Sequence, residues 1–228
     1  KLGNQSISVI STGMGTDNID IVFNEIDALF SFDPNTGKPL HSPTPLTFIR
    51  LGTSGAIQAD IALDSLVVAK GAIGFDNLMH YYDPKMSDHP LAEALHSHMG
   101  NPKKINHPYY ALGDESLLAA CIDLGMQQGM IATNAGFYAP QGRHLRTKKV
   151  VDSDNHHLSQ FKYNNSVITN FDMETAGIYG LSRVLGHKAI SISAILANRI
   201  NGTFSKNPDQ AVYDMIATVT SAIKEGKL

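Results

Sequence analysis

Apolar and polar positions along the chain switch between two spacings. Ile19, Val22, Phe23, Ile26, Leu29 and Phe30 recur at helical intervals, with Asp17 and Asn18 as cap residues ahead of them. The same spacing predicts helices over 91–99, 116–124, 173–185 and 211–223, with Gly125 and Gly186 as stops. Between them lie short apolar runs: 6–11 (SISVIS), 46–51 (LTFIRL), 66–69, 129–133 and 189–197 (AISISAILA). Their β-branched content predicts strands. Residues 33–45, with Pro34, Gly37, Pro39, Pro43 and Pro45, read as a surface loop; 75–90 are irregular around Pro84 and Pro90, and 137–148 form a polar, basic loop.

Strands alternate with helices and nothing repeats. This predicts an α/β fold, one domain over 1–228 with a mostly parallel or mixed central sheet flanked by helices. Such sheets bind ligands beyond the carboxyl ends of their strands. Polar segments stand at four such places: after Ser11, after Leu51, after Leu196 and after the strand around Ile131.

Composition narrows the choice by exclusion. In 228 residues, 43% are hydrophobic and 17% charged, which excludes a disordered chain. A net charge of −3 gives no broad footprint for nucleic acid or an anionic membrane. No apolar run approaches the roughly 20 residues a membrane span needs. Cys121 is the single cysteine, so no internal disulfide can form; a reducing compartment, hence a cytoplasmic location, is expected. The ten histidines show no tight ligand spacing, and the adjacent His156 and His157 are expected on a loop, so no metal site is expected. The chain opens at Lys1 without a signal-peptide pattern.

Four segments carry candidate chemistry, each with a plainer alternative. Arg50 stands inside an apolar strand, where a guanidinium is costly unless it meets an anion. Gly52, Thr53, Ser54 and Gly55 follow it, and the turn at Gly13-Met14-Gly15 resembles them; both suit an oxyanion. The alternative is an edge strand with a solvated arginine. Phe137, Gln141 and Arg143 set an amide and a guanidinium beside an aromatic ring, which suits a flat heterocycle with carbonyl and N–H edges. The alternative is a solvated basic loop with Arg146, Lys148 and Lys149. Asp172, Met173 and Glu174 open a predicted helix, where a carboxylate can meet sugar hydroxyls or, with Asn170, simply cap. Leu196, Ala197, Asn198 and Arg199 end the longest strand. No nucleophile–base pair is visible: GxSxG is absent and Cys121 lies on an apolar helix face.

Taken in order, segments 12–15, 50–57, 137–143 and 172–175 resemble the nucleoside phosphorylase family, in its pyrimidine-cleaving branch. The resemblance covers nearly the whole chain. It implies reversible phosphorolysis of uridine to uracil and α-ribose 1-phosphate, with inorganic phosphate as co-substrate and no cofactor. It implies phosphate at Gly13, Arg50 and Thr53. The base would lie among Ser54, Gly55, Phe137, Gln141, Arg143, Leu196, Ala197 and Arg199, and the ribose at Thr53, Asp172, Met173 and Glu174. Arg50, Thr53, Arg143 and Glu174 would carry the catalysis. Asp172 stands where the family often has glutamate. Asn198 stands where purine-cleaving relatives have an aspartate that protonates the purine, and a neutral amide cannot be that acid. Family members assemble at least as dimers, some as hexamers. They also carry a segment ahead of the strand matched by 6–11, with a further phosphate turn, so the natural protein is expected to be longer. Purine phosphorolysis, hydrolysis by water and nucleoside binding without catalysis are the alternatives.

Overall fold

The computed structural model describes residues 1–100, 106–147 and 155–228. In chain order the elements are α1 (Thr16–Ser31), β1 (Thr47–Ala56), β2 (Leu66–Gly74), α2 (Met79–Tyr82), α3 (Pro90–His98), β3 (Tyr109–Leu112), α4 (Glu115–Asp123), β4 (Gln127–Thr133), α5 (Asn155–Gln160), β5 (Lys162–Tyr163), β6 (Ser166–Asp172), α6 (Thr175–Leu185), β7 (Lys188–Asn198), β8 (Thr203–Phe204) and α7 (Pro208–Lys224).

The strands form one mixed sheet in the order β3-β2-β4-β6-β1-β7-β8, with β5 on β6. Strands β2, β4 and β6 run parallel to one another, as do β1 and β7. The two groups meet antiparallel twice, at β1–β6 and at β2–β7. Because β2 pairs with both β4 and β7, the sheet curls until β2, β4, β6, β1 and β7 close on themselves as a barrel, with Arg50 on β1. Closure removes the exposed edges that an open sheet would leave on those strands.

Helices pack on both faces of this sheet, since Ile131 of β4 meets one group of helices and its neighbour Met130 another, so the α/β architecture of one domain with flanking helices is as the alternation predicts. Helices α1 and α6 bury Ile19, Phe23, Ile178 and Leu181 against Ala72 of β2 and Ile131 of β4. Leu117 and Cys121 of α4 and Met215 and Val219 of α7 pack on Val68, Ile190 and Ile192. Leu91 and Leu95 of α3, with Leu158 of α5, cover Ile73, Met130 and Ile168. The buried positions of α7 are Ala211, Met215, Val219 and Ala222, the single stripe its periodicity requires. Cys121 is packed and free, and burial pushes its thiol up to about 11.

Several expectations change. Residues 6–11 form no strand: they pair with no neighbour among the described residues, and Ile7, Val9 and Ile10 are exposed. A β-branched run becomes a strand only when another backbone takes its N–H and C=O groups. Strand β1 does not stop at Leu51 but runs on to Ala56, because β7 continues beside it and β6 meets its end at Gly55 and Ala56. Asp17 and Asn18 lie within the first turn of α1; Gly15, at φ 96°, holds the cap position. His156 and His157 fall in helix α5. Strands β3, β5, β6 and β8 escaped the periodicity reading. Lys148 and Lys149 lie outside the described residues.

Candidate active site

The site forms where β6 ends against the middle of β1 and β7. Arg50 of β1 stands in register with Ser191 of β7. Its side chain is 15% exposed and lies over Gly52, where a Cβ would collide with the guanidinium. A side chain at position 52 would push the Arg50 guanidinium from this place, and the Gly52–Gly55 stretch is paired strand instead of the free turn the sequence suggests. Arg50 Nη2 donates to Glu174 Oε2 at 2.7 Å and lies 3.6 Å from Asp172 Oδ2, and Nη1 donates to Ser191 Oγ at 3.3 Å. Burial opposes the Arg50 charge, but Asp172 and Glu174 outweigh it and hold the guanidinium above its ordinary value. The buried arginine does meet anions, and they come from its own chain.

The turn at 12–15 reaches this group through its last residue. Gly15 N donates to Glu174 Oε1 at 2.9 Å, so a backbone amide and Arg50 hold the two oxygens of one carboxylate. Gly13 is exposed at φ 72°. Thr53 is exposed on β1, and Met173 is half-buried between Asp172 and Glu174. Asp172 is committed to the protein. Its Oδ1 accepts from Thr133 Oγ1 at 2.7 Å, and its Oδ2 accepts from Thr175 N at 2.9 Å and from the Thr175 hydroxyl. The first amide of α6 is capped by Asp172, whereas Asn170 lies inside β6.

The second half of the site is the loop after β4. Gln141 is buried, and its Oε1 accepts from Arg143 Nη1 at 2.6 Å. Arg143 also donates to Phe137 O at 2.8 Å and lies 3.8 Å above the Phe137 ring. Arg199 donates to Gln141 O at 2.5 Å and covers the Phe171 ring at 4.9 Å. Burial and the nearby Arg143 push the Arg199 guanidinium down to about 10. The stem of Arg199 crosses Gly55, close to Ala197. Ser54 donates to Phe171 O at 2.6 Å and accepts from Asn170 Nδ2 at 2.9 Å, which ties β1 to β6 beneath the loop. The two halves join at Asp172: Gln141 Nε2 donates to its carbonyl at 3.4 Å while Arg50 faces its carboxylate.

Leu196, expected at the base pocket, and its neighbour Asn198 fall elsewhere. Leu196 packs in the cluster beneath α4 and α7, on the face of β7 that also carries Ile190, Ile192 and Ala194. Asn198 is buried and satisfied locally: its amide donates to Gln58 O and Ile61 O, and its Oδ1 accepts from the amides of Ile200 and Asn201. Sequence reasoning missed Thr133 and Ser191, and it took in Gly15 and Thr175 only as parts of their segments, with no role of their own. The available signal was the buried hydroxyls inside apolar strands, Ser191 in AISISAILA above all.

A curled α/β sheet that holds an arginine between carboxylates, next to an amide–guanidinium loop, belongs to the α/β proteins with one composite polar site at strand ends. Its sequence then places it more narrowly. The sequence profile described as "Phosphorylase superfamily" matches residues 1–225, and the chain belongs to that superfamily. It is 27% identical over 212 residues to a uridine phosphorylase of Thermococcus kodakarensis, an alignment that takes in 88% of this chain and 61% of that protein's length. It is 24% identical over 222 residues to a DeoD-type purine nucleoside phosphorylase of Buchnera aphidicola, with 96% and 76% covered. A crystal structure of Trypanosoma brucei nucleoside phosphorylase, described as showing uridine phosphorylase activity, superposes with a TM-score of 0.78 at 27% identity, over 93% of this chain and 78% of that one. Among the described residues, no helix is long and apolar enough to cross a membrane.

Proposed function

We propose that the protein catalyses reversible phosphorolysis of uridine, giving uracil and α-ribose 1-phosphate. One observation carries this reading: Asp172 joins the arginine of β1 to the Gln141–Arg143 loop, so an anion held by Arg50 and a ring held by the loop would flank one sugar. Two of the similar proteins, a uridine phosphorylase and a nucleoside phosphorylase described as showing uridine phosphorylase activity, support it.

In this reading phosphate is held by Arg50, by the exposed hydroxyl of Thr53 and by the turn at Gly13. Glu174 accepts from ribose hydroxyls, with Met173 packed against the sugar. As the glycosidic bond stretches, the ring gains oxocarbenium character. The phosphate dianion stabilises that charge and then attacks C1′, and the bonding electrons leave with uracil. Arg143 and Gln141 hydrogen-bond the departing pyrimidine, Phe137 stacks on it, and Arg199, Gly55, Ser54 and Ala197 bound its pocket. The donors on the base gain strength as its negative charge grows, which is the condition for accelerating the step. The assembly is proposed to be at least a dimer, with small-molecule nucleoside and phosphate as its partners.

A second reading is purine phosphorolysis, favoured by the alignment with the DeoD-type enzymes over 96% of this chain. Asn198 argues against it, being neutral and turned into the backbone of 58–61 and 200–201. A phosphate-dependent assay of the full-length protein on uridine, thymidine, inosine and adenosine decides. Uridine should turn over far faster than inosine or adenosine. Comparable rates on inosine select the purine reading, base release without phosphate selects hydrolysis, and uracil binding with no ribose 1-phosphate formed selects a binding module.

A further inference from the structure

Both arms of the Arg50 guanidinium lead to Asp172. Nη2 lies 3.6 Å from Asp172 Oδ2. Nη1 donates to Ser191 Oγ at 3.3 Å, Ser191 Oγ lies 2.8 Å from Thr175 Oγ1, and the Thr175 hydroxyl donates to Asp172 Oδ2. Each hydroxyl has one proton to give. With Thr175 spending its own on Asp172, Ser191 must donate to Thr175, which leaves the Ser191 oxygen to accept from Arg50. The direction of every bond in this chain is thereby set by the carboxylate at its end.

The same carboxylate fixes the start of α6. Oδ2 accepts from Thr175 N, and Oδ1 accepts from Thr133 Oγ1, whose oxygen takes the Ala176 amide at 2.9 Å. Glu174 directly precedes these residues. The Asp172 side chain is 1% exposed, against 10% for Glu174, so a sugar hydroxyl reaches Glu174 without disturbing the core but reaches Asp172 only by displacing a threonine.

We infer that Asp172 is a positioning residue that aims Arg50 at phosphate and sets Glu174 for the sugar, and that it contributes no contact to the ribose. This departs from the ligand role the family resemblance implies for it, and its activity readout rests on the uridine reading above. The shorter reach of aspartate suits the task, because Thr133 and Thr175 bring their hydroxyls to it.

The variant Asp172→Asn keeps the shape but turns one acceptor oxygen into a donor facing donors. Calorimetry with inorganic phosphate should show binding weakened by about tenfold or more, the cost of one buried unsatisfied donor, with uracil binding unchanged. The loss in kcat/KM should be the same for uridine, 2′-deoxyuridine and 3′-deoxyuridine, whereas Glu174→Gln should lose less on the substrate that lacks the hydroxyl it holds. Thr133→Val, which removes one donor to Asp172, should give a milder loss of the same kind and serves if Asp172→Asn does not fold. Phosphate binding equal in wild type and both variants, or a loss that fades when a ribose hydroxyl is removed, overturns the positioning role. If the wild type turns over no nucleoside, the uridine reading falls, and phosphate calorimetry still decides the role of Asp172.

Discussion

Arg50 sits in a paired strand between two carboxylates, with its side chain 15% exposed, whereas Arg143 sits on a loop and is held by one carbonyl, one amide oxygen and the face of a half-exposed ring. Carboxylates raise the first guanidinium above its ordinary value, and burial pulls the second below it. The difference separates two tasks. A charge neutralised inside the protein is fixed in place, and an incoming anion has only to share it. A charge balanced by dipoles and a π face keeps its attraction for negative charge that develops later, on a leaving group. On the proposed reading, the barrel end therefore suits the anionic co-substrate, and the loop end suits discrimination between bases.

The largest effect should follow from breaking the barrel end. Arg50→Ala leaves Glu174 and Asp172 without their shared cation in a buried setting, which costs about 3–5 kcal/mol of stability. Activity should also fall on the order of a thousandfold, as for loss of a central charge-stabilising donor. Urea unfolding and phosphate-dependent turnover read the two losses separately. Arg50→Lys should recover part of the stability but little turnover, because an ammonium cannot hold Glu174 and Ser191 in the fork geometry of a guanidinium. A stable, active Arg50→Ala protein would erase the distinction between the two ends.

Next comes the loop end. On the proposed reading, Arg143→Ala removes a donor to the base but leaves no carboxylate unpaired, so kcat/KM should fall about a hundredfold while the unfolding midpoint barely moves. Activity within a few-fold of wild type would mean that the loop does not read the base. A large fall in stability would mean that the loop is as structural as the barrel.

The same contrast explains what could be read before the fold was known. Arg50 was conspicuous because a charge in LTFIRL violates the pattern of its strand, and the violation pointed at an anion. Helices α1, α4 and α7 were legible because each buries one stripe, whereas α6 is buried on every side from Thr175 to Ser182. Strand β6 was not, because SVITNFD interrupts its apolar residues with Thr169, Asn170 and Asp172, all buried. Each of those residues has a partner distant in sequence: Thr169 in Met130 O, Asn170 in Ser54, and Asp172 in Thr133. A single sequence shows the polar residue and hides the partner, so a strand lined with such residues reads as a cap. The run at 6–11 failed in the opposite sense, for it has every local mark of a strand and no described neighbour to complete it. Leu196 and Ala197 show the limit of assigning neighbours together, since the first faces the α4–α7 core and only the second borders the loop end.

The smallest effect concerns pH, and it belongs to the barrel end alone. Asp76, just beyond β2, is buried and accepts from Tyr109 Oη at 2.8 Å, from Leu78 N at 2.8 Å and from Thr16, the first residue of α1 after the Gly15 turn. Burial outweighs these bonds and holds its carboxyl above the ordinary 3.8. The folded state then binds the Asp76 proton more tightly than the unfolded chain does. By linkage, the stability this group lends is fullest below the unfolded value and is lost as pH rises through the raised folded value. Asp76→Asn cannot ionise, and its Oδ1 can still accept from Leu78 N and Tyr109. Urea unfolding followed upward from about pH 4 should therefore show wild type losing stability relative to Asp76→Asn, with the gap closing again at lower pH. Parallel curves for the two proteins would mean that the carboxyl titrates as it does in water. The Gly15–Glu174 end of the barrel would then be backed by a solvated charge, and its contrast with the loop would be one of geometry only.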